Sequence, residues 1–218
     1  ESVGAMIDAE KLEIPSAEQL EQEILGSSAS EPAQNAAAAD LLHIVKAFDL
    51  PAGTLQIPHA WKRFSVQAGA HRLGVPFTSH PMFGHDIIYN HPMNHGASLG
   101  RAAERDFLTF AESIRRIDGG VYLSIGSAVM SPMVFEKSLS MAQNLAIQGG
   151  GLIDGHFILV SDLAESTWDW SQGEPPEEDP AYYLRYNKTF SRMGGTMRYL
   201  QADNRGLLLN LLHRLGDP

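Results

Sequence analysis

Gly126 and Ser127, set between an apolar run and the pair Ser131-Pro132, have types and a spacing that suggest anion binding. Val121–Ile125 has the β-branched and apolar composition of a buried strand. Ser131 and Pro132 read as the N-cap and first position of a helix running to about Gln148. A strand, a small-residue turn and a helix start together aim backbone N–H groups at one point, the geometry that holds a phosphate. The same residues equally serve a plain turn with no ligand, and both readings stand at this level. Gly149-Gly150-Gly151 is also Gly-rich, but it follows a helix and precedes a strand, so it reads as a turn at the amino end of a sheet.

Four histidines, His80, His85, His91 and His95, fall in the loop SHPMFGHDIIYNHPMNHG beside Asp86. Imidazole and carboxylate are metal ligands, yet the spacing matches no His-Glu-x-x-His pattern. Histidines in such a loop equally pack, cap turns or line a subunit interface. Asp86, just ahead of Ile87-Ile88-Tyr89, is placed to cap that segment or to bind a ligand hydroxyl. Lys188, in YYLRYNKTF, is an amine nucleophile only if desolvated, and otherwise a solvated helical lysine. Trp168 and Trp170 beside GEPPEEDP suit a lid or an interface as well as simple packing. Met130, Met133 and Met141 read as core. The chain has no Gly-x-Ser-x-Gly, Walker loop or Ser/His/Asp order.

These residues need a scaffold, and hydrophobic periodicity supplies one. Helices are expected over residues 16–25, 40–48, 60–73, 100–117, 131–148, 180–192 and 203–215. Strands are expected over 75–78, 121–125, 156–160 and 197–200. Their alternation predicts right-handed crossovers and a parallel sheet, hence a three-layer α/β fold. Four strands make a thin sheet, so either residues 14–25 hide another or the sheet continues in residues not present. Ligands bind beyond the carboxyl ends of such strands. That rule selects Ser79, His80, His85 and Asp86, then Gly126, Ser127 and Ser131, then Ser161 and Asp162, and finally Asp203 and Asn204.

At 218 residues and 44% hydrophobic, the chain can bury one sizeable core. No apolar run has the length of a membrane span, and no signal peptide is visible, although the first residue is Glu1. The lack of cysteine excludes disulfides, thiolate zinc sites and a cysteine nucleophile, and it fits a cytoplasmic protein. A net charge of −10 argues against non-specific nucleic-acid binding. Residues 1–40 hold nine acids against Lys11 alone, a balance of −8. With GSSASEPAQNAAAAD in it, the start of the chain reads as an acidic helix and mobile linker over 1–35, ahead of an α/β domain over 36–218. An acidic interaction tail is the other reading.

Two segments, VPFTSHPMFGHDIIYNHP and GGVYLSIGSAVMSPMVFEKSLSMAQN, carry a resemblance to a known family. The first resembles the strand-loop with embedded acid of the deoxyhypusine synthase family, more closely its bacterial deoxyhypusine synthase-like branch. The second is similar to that family's Gly-rich turn and following helix. About half of the chain resembles the family closely and the rest loosely. The resemblance implies a Rossmann-like parallel sheet and NAD bound at sites between the subunits of a homotetramer. In true synthases it implies transfer of the aminobutyl group of spermidine to a lysine through an enzyme-lysine imine.

By this resemblance Asp86 matches an acid of the substrate and cofactor site. Gly126 and Ser127 match the start of a Gly-Gly-Gly turn whose third glycine is here Ala128. Pro132 and Met133 stand where the family has a catalytic His, and its Ser-Trp-Gly-Lys is absent. DPAYYLRYNK is the nearest counterpart, with Lys188 at best a displaced stand-in. The family also has an N-terminal part with further strands, so the chain looks like the C-terminal portion of a longer protein.

The first expectation is therefore a protein that binds NAD or another nucleotide and acts on a polyamine or amino-acid-like substrate. Asp86 and Lys188 are its catalytic candidates, Gly126, Ser127, Ser131 and Asp162 its cofactor candidates, and no resident metal is expected. Without the His and a desolvated lysine, imine chemistry and its coupled proton transfer are not available. A non-catalytic oligomeric scaffold is the competing reading, and a metal-dependent hydrolase built on the His loop the third.

Overall fold

The computed structural model describes residues 2–26 and 32–216. The chain divides into two compact units, Glu1–Asp106 and Phe107–Pro218, rather than at residue 35.

In the first unit Ser2 Oγ accepts the Ala5 N–H and so starts α1 (Val3–Ala9). There follow β1 (Lys11–Ile14), α2 (Ala17–Gly26), α3 (Pro32–Ala47), β2 (Gly53–Gln56) and α4 (Val66–Leu73). Strands β1 and β2 pair antiparallel, with Lys11 opposite Gln56 and Ile14 opposite Gly53. Ile14, Leu20, Ala38 and Val45 form the core around which α2 and α3 pack. The expected linker is largely helix, because its alanines are the best helix formers; its residues 27–31 lie outside those described.

The acidic stretch is not a solvated appendage either. Asp8 pairs with Arg72 at 2.7 Å, Glu10 with Lys62 at 3.2 Å, and Asp40 with Arg101 at 2.7 Å. These three acids are thus matched by bases that lie far away in sequence. Residues 75–78, expected as a strand, form none. Pro76 has no N–H to donate, and Val75 and Phe77 are exposed, with no strand among the described residues pairing with them.

The last helix of the first unit, α5 (Gly96–Arg115), runs across the division. The second unit continues with β3 (Val121–Ile125), α6 (Met130–Gln148), β4 (Phe157–Asp162), α7 (Arg185–Ser191), β5 (Thr196–Gln201) and α8 (Asn204–Gly216). Its sheet is parallel throughout, in the order β3-β4-β5, with Ile125, Ser161 and Leu200 in register. Ile158, Val160 and Met197 point to one face, where Phe135 and Leu139 of α6, Phe190 of α7 and Ile114 of α5 complete the core. Tyr122 stacks on Phe135 with ring centroids 4.2 Å apart. On the other face Val121, Leu123 and Leu200 are exposed, as are Leu208, Leu209, Leu212 and Leu215 of α8.

The unit is therefore α/β with a three-stranded parallel sheet, one strand fewer than expected. The strand just ahead of residues 14–25 belongs to the separate β1-β2 pair. Among the described residues no helix is long and apolar enough to cross a membrane.

Candidate functional site

Where β3 ends, the chain must leave the sheet sharply, and Gly126 makes the corner at φ +67°. Its N–H donates to Ser161 O of β4 at 3.1 Å. Over its Cα lies the side chain of Asn204, the first residue of α8; a Cβ built on Gly126 would sit 2.4 Å from Asn204 Nδ2. Ser127 Oγ then accepts the Ser131 N–H at 3.0 Å.

That bond corrects the expected cap. The helix begins at Met130, Ser131 is already inside it, and Ser127 satisfies the open N–H of the first turn. Ser131 Oγ turns down to the strand instead, 2.8 Å from both Tyr122 OH and Ser124 Oγ. Pro132 has no N–H, so the first turn of α6 offers little to an anion. The open donors lie earlier: among the described residues, the N–H groups of Ser127, Ala128 and Val129 meet no acceptor.

Asp162 closes β4 on the same sheet edge. Its Oδ1 accepts the N–H groups of Leu163 at 2.7 Å and Ala164 at 3.2 Å. Burial first, then the neighbouring Tyr199 and the charge of Asp162, push the Tyr186 phenol well above its ordinary range. Burial and Asp162 likewise raise Tyr199, whose OH donates to Ala164 O. Three polar atoms near this edge are buried without a hydrogen-bond partner among the described residues: Ser161 Oγ, Tyr186 OH and Asn204 Oδ1. Asp162, Ser161 and Asn204 were legible as strand-end residues. Tyr186 and Tyr199 were not, and only the inward position of Tyr199 on its strand pointed to it.

The two catalytic candidates each have local partners of their own. Lys188 Nζ lies 2.8 Å from Glu174 Oε1 and 3.2 Å from the centroid of the Tyr182 ring, with its side chain 15% exposed. Glu174 holds the ammonium charged and raises its pKa, the opposite of what an imine-forming amine needs. Arg192 shares the same carboxylate. Asp86 belongs to the first unit, where Oδ2 accepts the Met82 N–H and the side chain makes no capping bond to the 3-10 turn it heads, Ile87–Asn90.

The histidines of that loop have separate local duties. His80 Nε2 is 3.1 Å from Thr78 Oγ1, His85 Nδ1 is 3.7 Å from Asp86 Oδ1, His91 Nδ1 accepts the Met93 N–H, and His95 Nδ1 is 2.9 Å from Ser98 Oγ. Among the described residues no three His, Asp or Glu side chains gather as a metal centre would require.

Comparison with known proteins finds no matching family model, no similar curated protein and no similar solved structure.

Proposed function

We propose that the second unit is a Rossmann-like nucleotide-binding domain, similar to that of the deoxyhypusine synthase family, with NAD as its first ligand. The observation that carries this reading is the row of acceptor-free N–H groups at Ser127, Ala128 and Val129, directly after a left-handed glycine at the carboxyl end of β3. A pyrophosphate supplies the acceptors such a row lacks. The unpartnered Asn204 Oδ1 and Ser161 Oγ further suit a polar ligand here.

NAD, when bound, supplies a hydride acceptor. The chain's own part is to bind and orient: the turn over 126–129 holds phosphate, and Asp162 offers a carboxylate to the cationic amine of a polyamine or amino-acid-like substrate. A role for Asp86 in that substrate site rests on the family resemblance alone. A third layer and a homotetramer belong to the same reading; the exposed Val121, Leu123 and Leu200 and the leucines of α8 are apolar surface that further packing would cover. So does a cytoplasmic location.

A second reading, a non-catalytic oligomeric scaffold, is favoured by one specific observation, the locked ion pair of Lys188 with Glu174. Calorimetry and thermal unfolding of the full chain with NAD separate the two. The nucleotide reading expects saturable binding and a raised Tm, both lost in Ala128→Asp, which sets a negative charge in the exposed turn without touching the core. Wild-type protein that ignores both NAD and ADP would sink it and leave the scaffold.

A further inference from the structure

We propose that the groove beside the first turn of α5 binds a small carboxylate with a hydrocarbon body, held at its head by His91 and His95. The groove lies within the first unit and is independent of the nucleotide reading. Its volume is about 530 Å³, within the roughly 300–1,000 Å³ of small-molecule sites. Ile44 of α3, Ile87, Ile88, Met93 and Leu99 make the apolar wall. His91, Asn94, His95 and Ser98 are the polar lining, and no Asp, Glu, Lys or Arg takes part, in a chain with 26 acids.

Backbone N–H groups reach Nδ1 of both rings, and at His95 the Ser98 hydroxyl lies 2.9 Å from the same nitrogen. The Met93 N–H donates to His91 Nδ1 at 3.1 Å, and the Ser98 N–H to His95 Nδ1 at 3.4 Å. A neutral imidazole whose Nδ1 accepts carries its proton on Nε2. His95 is held further by stacking on His43, with centroids 5.1 Å apart. Among the described residues neither Nε2 has a partner. The lining thus combines two imidazoles whose Nε2 is unspent with apolar side chains left in water, Ile87 being 82% and Ile88 45% exposed.

A carboxylate answers the donors with two oxygens, no acidic side chain of the lining repels it, and a hydrocarbon body removes the isoleucines from water. A polar anion such as free phosphate leaves the apolar wall uncovered, and a plain hydrocarbon leaves the donors unmet.

Octanoate, with 1-octanol as the headless control, is the probe, titrated into the full chain while the His Cε1–H resonances are followed. Octanoate is expected to shift the His91 and His95 signals and to bind more tightly than octanol. His91→Asn with His95→Asn keeps an acceptor oxygen where each Nδ1 stands and removes both Nε2 donors. That pair of changes is expected to weaken octanoate by about ten-fold or more and leave octanol unchanged. Equal affinity for the two probes, no movement of the two His signals, or unchanged octanoate affinity in a folded double variant would each overturn the assignment. Should the variant fail to fold, the wild-type resonances alone decide.

Discussion

Asn204 Nδ2 covers the Cα of Gly126 so closely that any side chain there must displace it. Gly126→Ala therefore carries two costs, a left-handed φ of +67° for a non-glycine residue and a collision with the end of a side chain. Together they are expected to lower stability by about 1–3 kcal/mol. The collision has a remedy in Asn204→Ala. In urea titrations the double variant should recover part of the loss, and a strictly additive result would remove Asn204 as the obstacle.

Gly195 provides the contrast. At φ +64° its missing Cβ would lie 2.2 Å from His156 O, a backbone atom that no side-chain change can move. Gly195→Ala is expected to cost about 2–4 kcal/mol with no rescue by truncating His156. A loss below about 1 kcal/mol would mean that β5 enters the sheet with more freedom than the bond from Thr196 N–H to His156 O implies.

His156 is 1% exposed, and neither ring nitrogen has a hydrogen-bond partner among the described residues. Burial lowers its pKa, against a weaker upward pull from Asp118 and Asp154. The folded state thus holds this proton less tightly than the unfolded chain, in which a histidine titrates near pH 6.5. Its contribution to stability is whole above about pH 6.5 and is lost as the pH falls below it. Urea midpoints between pH 8 and pH 5 should decline, and His156→Gln should flatten the decline. His80 is lowered in the same direction in the first unit, so an unchanged slope in the variant would shift the effect there.

Lys188 should behave as a guarded cation. In reductive methylation at mild alkaline pH, it is expected to label more slowly than Lys137, whose side chain is 68% exposed. Glu174→Gln removes the group that holds its proton and should speed labelling at Lys188 while leaving Lys137 unchanged. Fastest labelling at Lys188 in the wild type would reopen the case for an amine nucleophile.

Loss of the Ser127 hydroxyl frees the Ser131 N–H, so Ser127→Ala should cost about 1 kcal/mol. Ser131→Ala breaks the hydroxyl chain to Tyr122 and Ser124 instead, and a similar urea midpoint for both variants would blur their assigned roles.

The readable parts of the fold were those decided by near neighbours. Val121–Ile125 is a strand at its expected bounds because its composition and its flanking Gly120 and Gly126 all act locally. Val75–Thr78 had similar composition, but a strand exists only where a partner offers hydrogen bonds, and Pro76 with an exposed Phe77 has none. The acidic start of the chain misled for the reverse reason. Asp8 and Glu10 look solvated until Arg72 and Lys62 arrive from more than fifty residues away. At the site itself Gly126 was visible, whereas the choice of Ser127 over Ser131 as cap depends on where the helix axis falls, which no single residue type declares.

In the β3-β4-β5 sheet, spatial order repeats chain order. Each strand leaving the ribosome therefore finds its neighbour already made, and none has to be threaded between two that have paired. Assembly is vectorial, with β4 as the step that turns a lone extended segment into a sheet. Among the described residues the sheet also stays open at both ends: no further strand pairs with β3 or β5, so each edge keeps a row of backbone groups to which one more strand can be added.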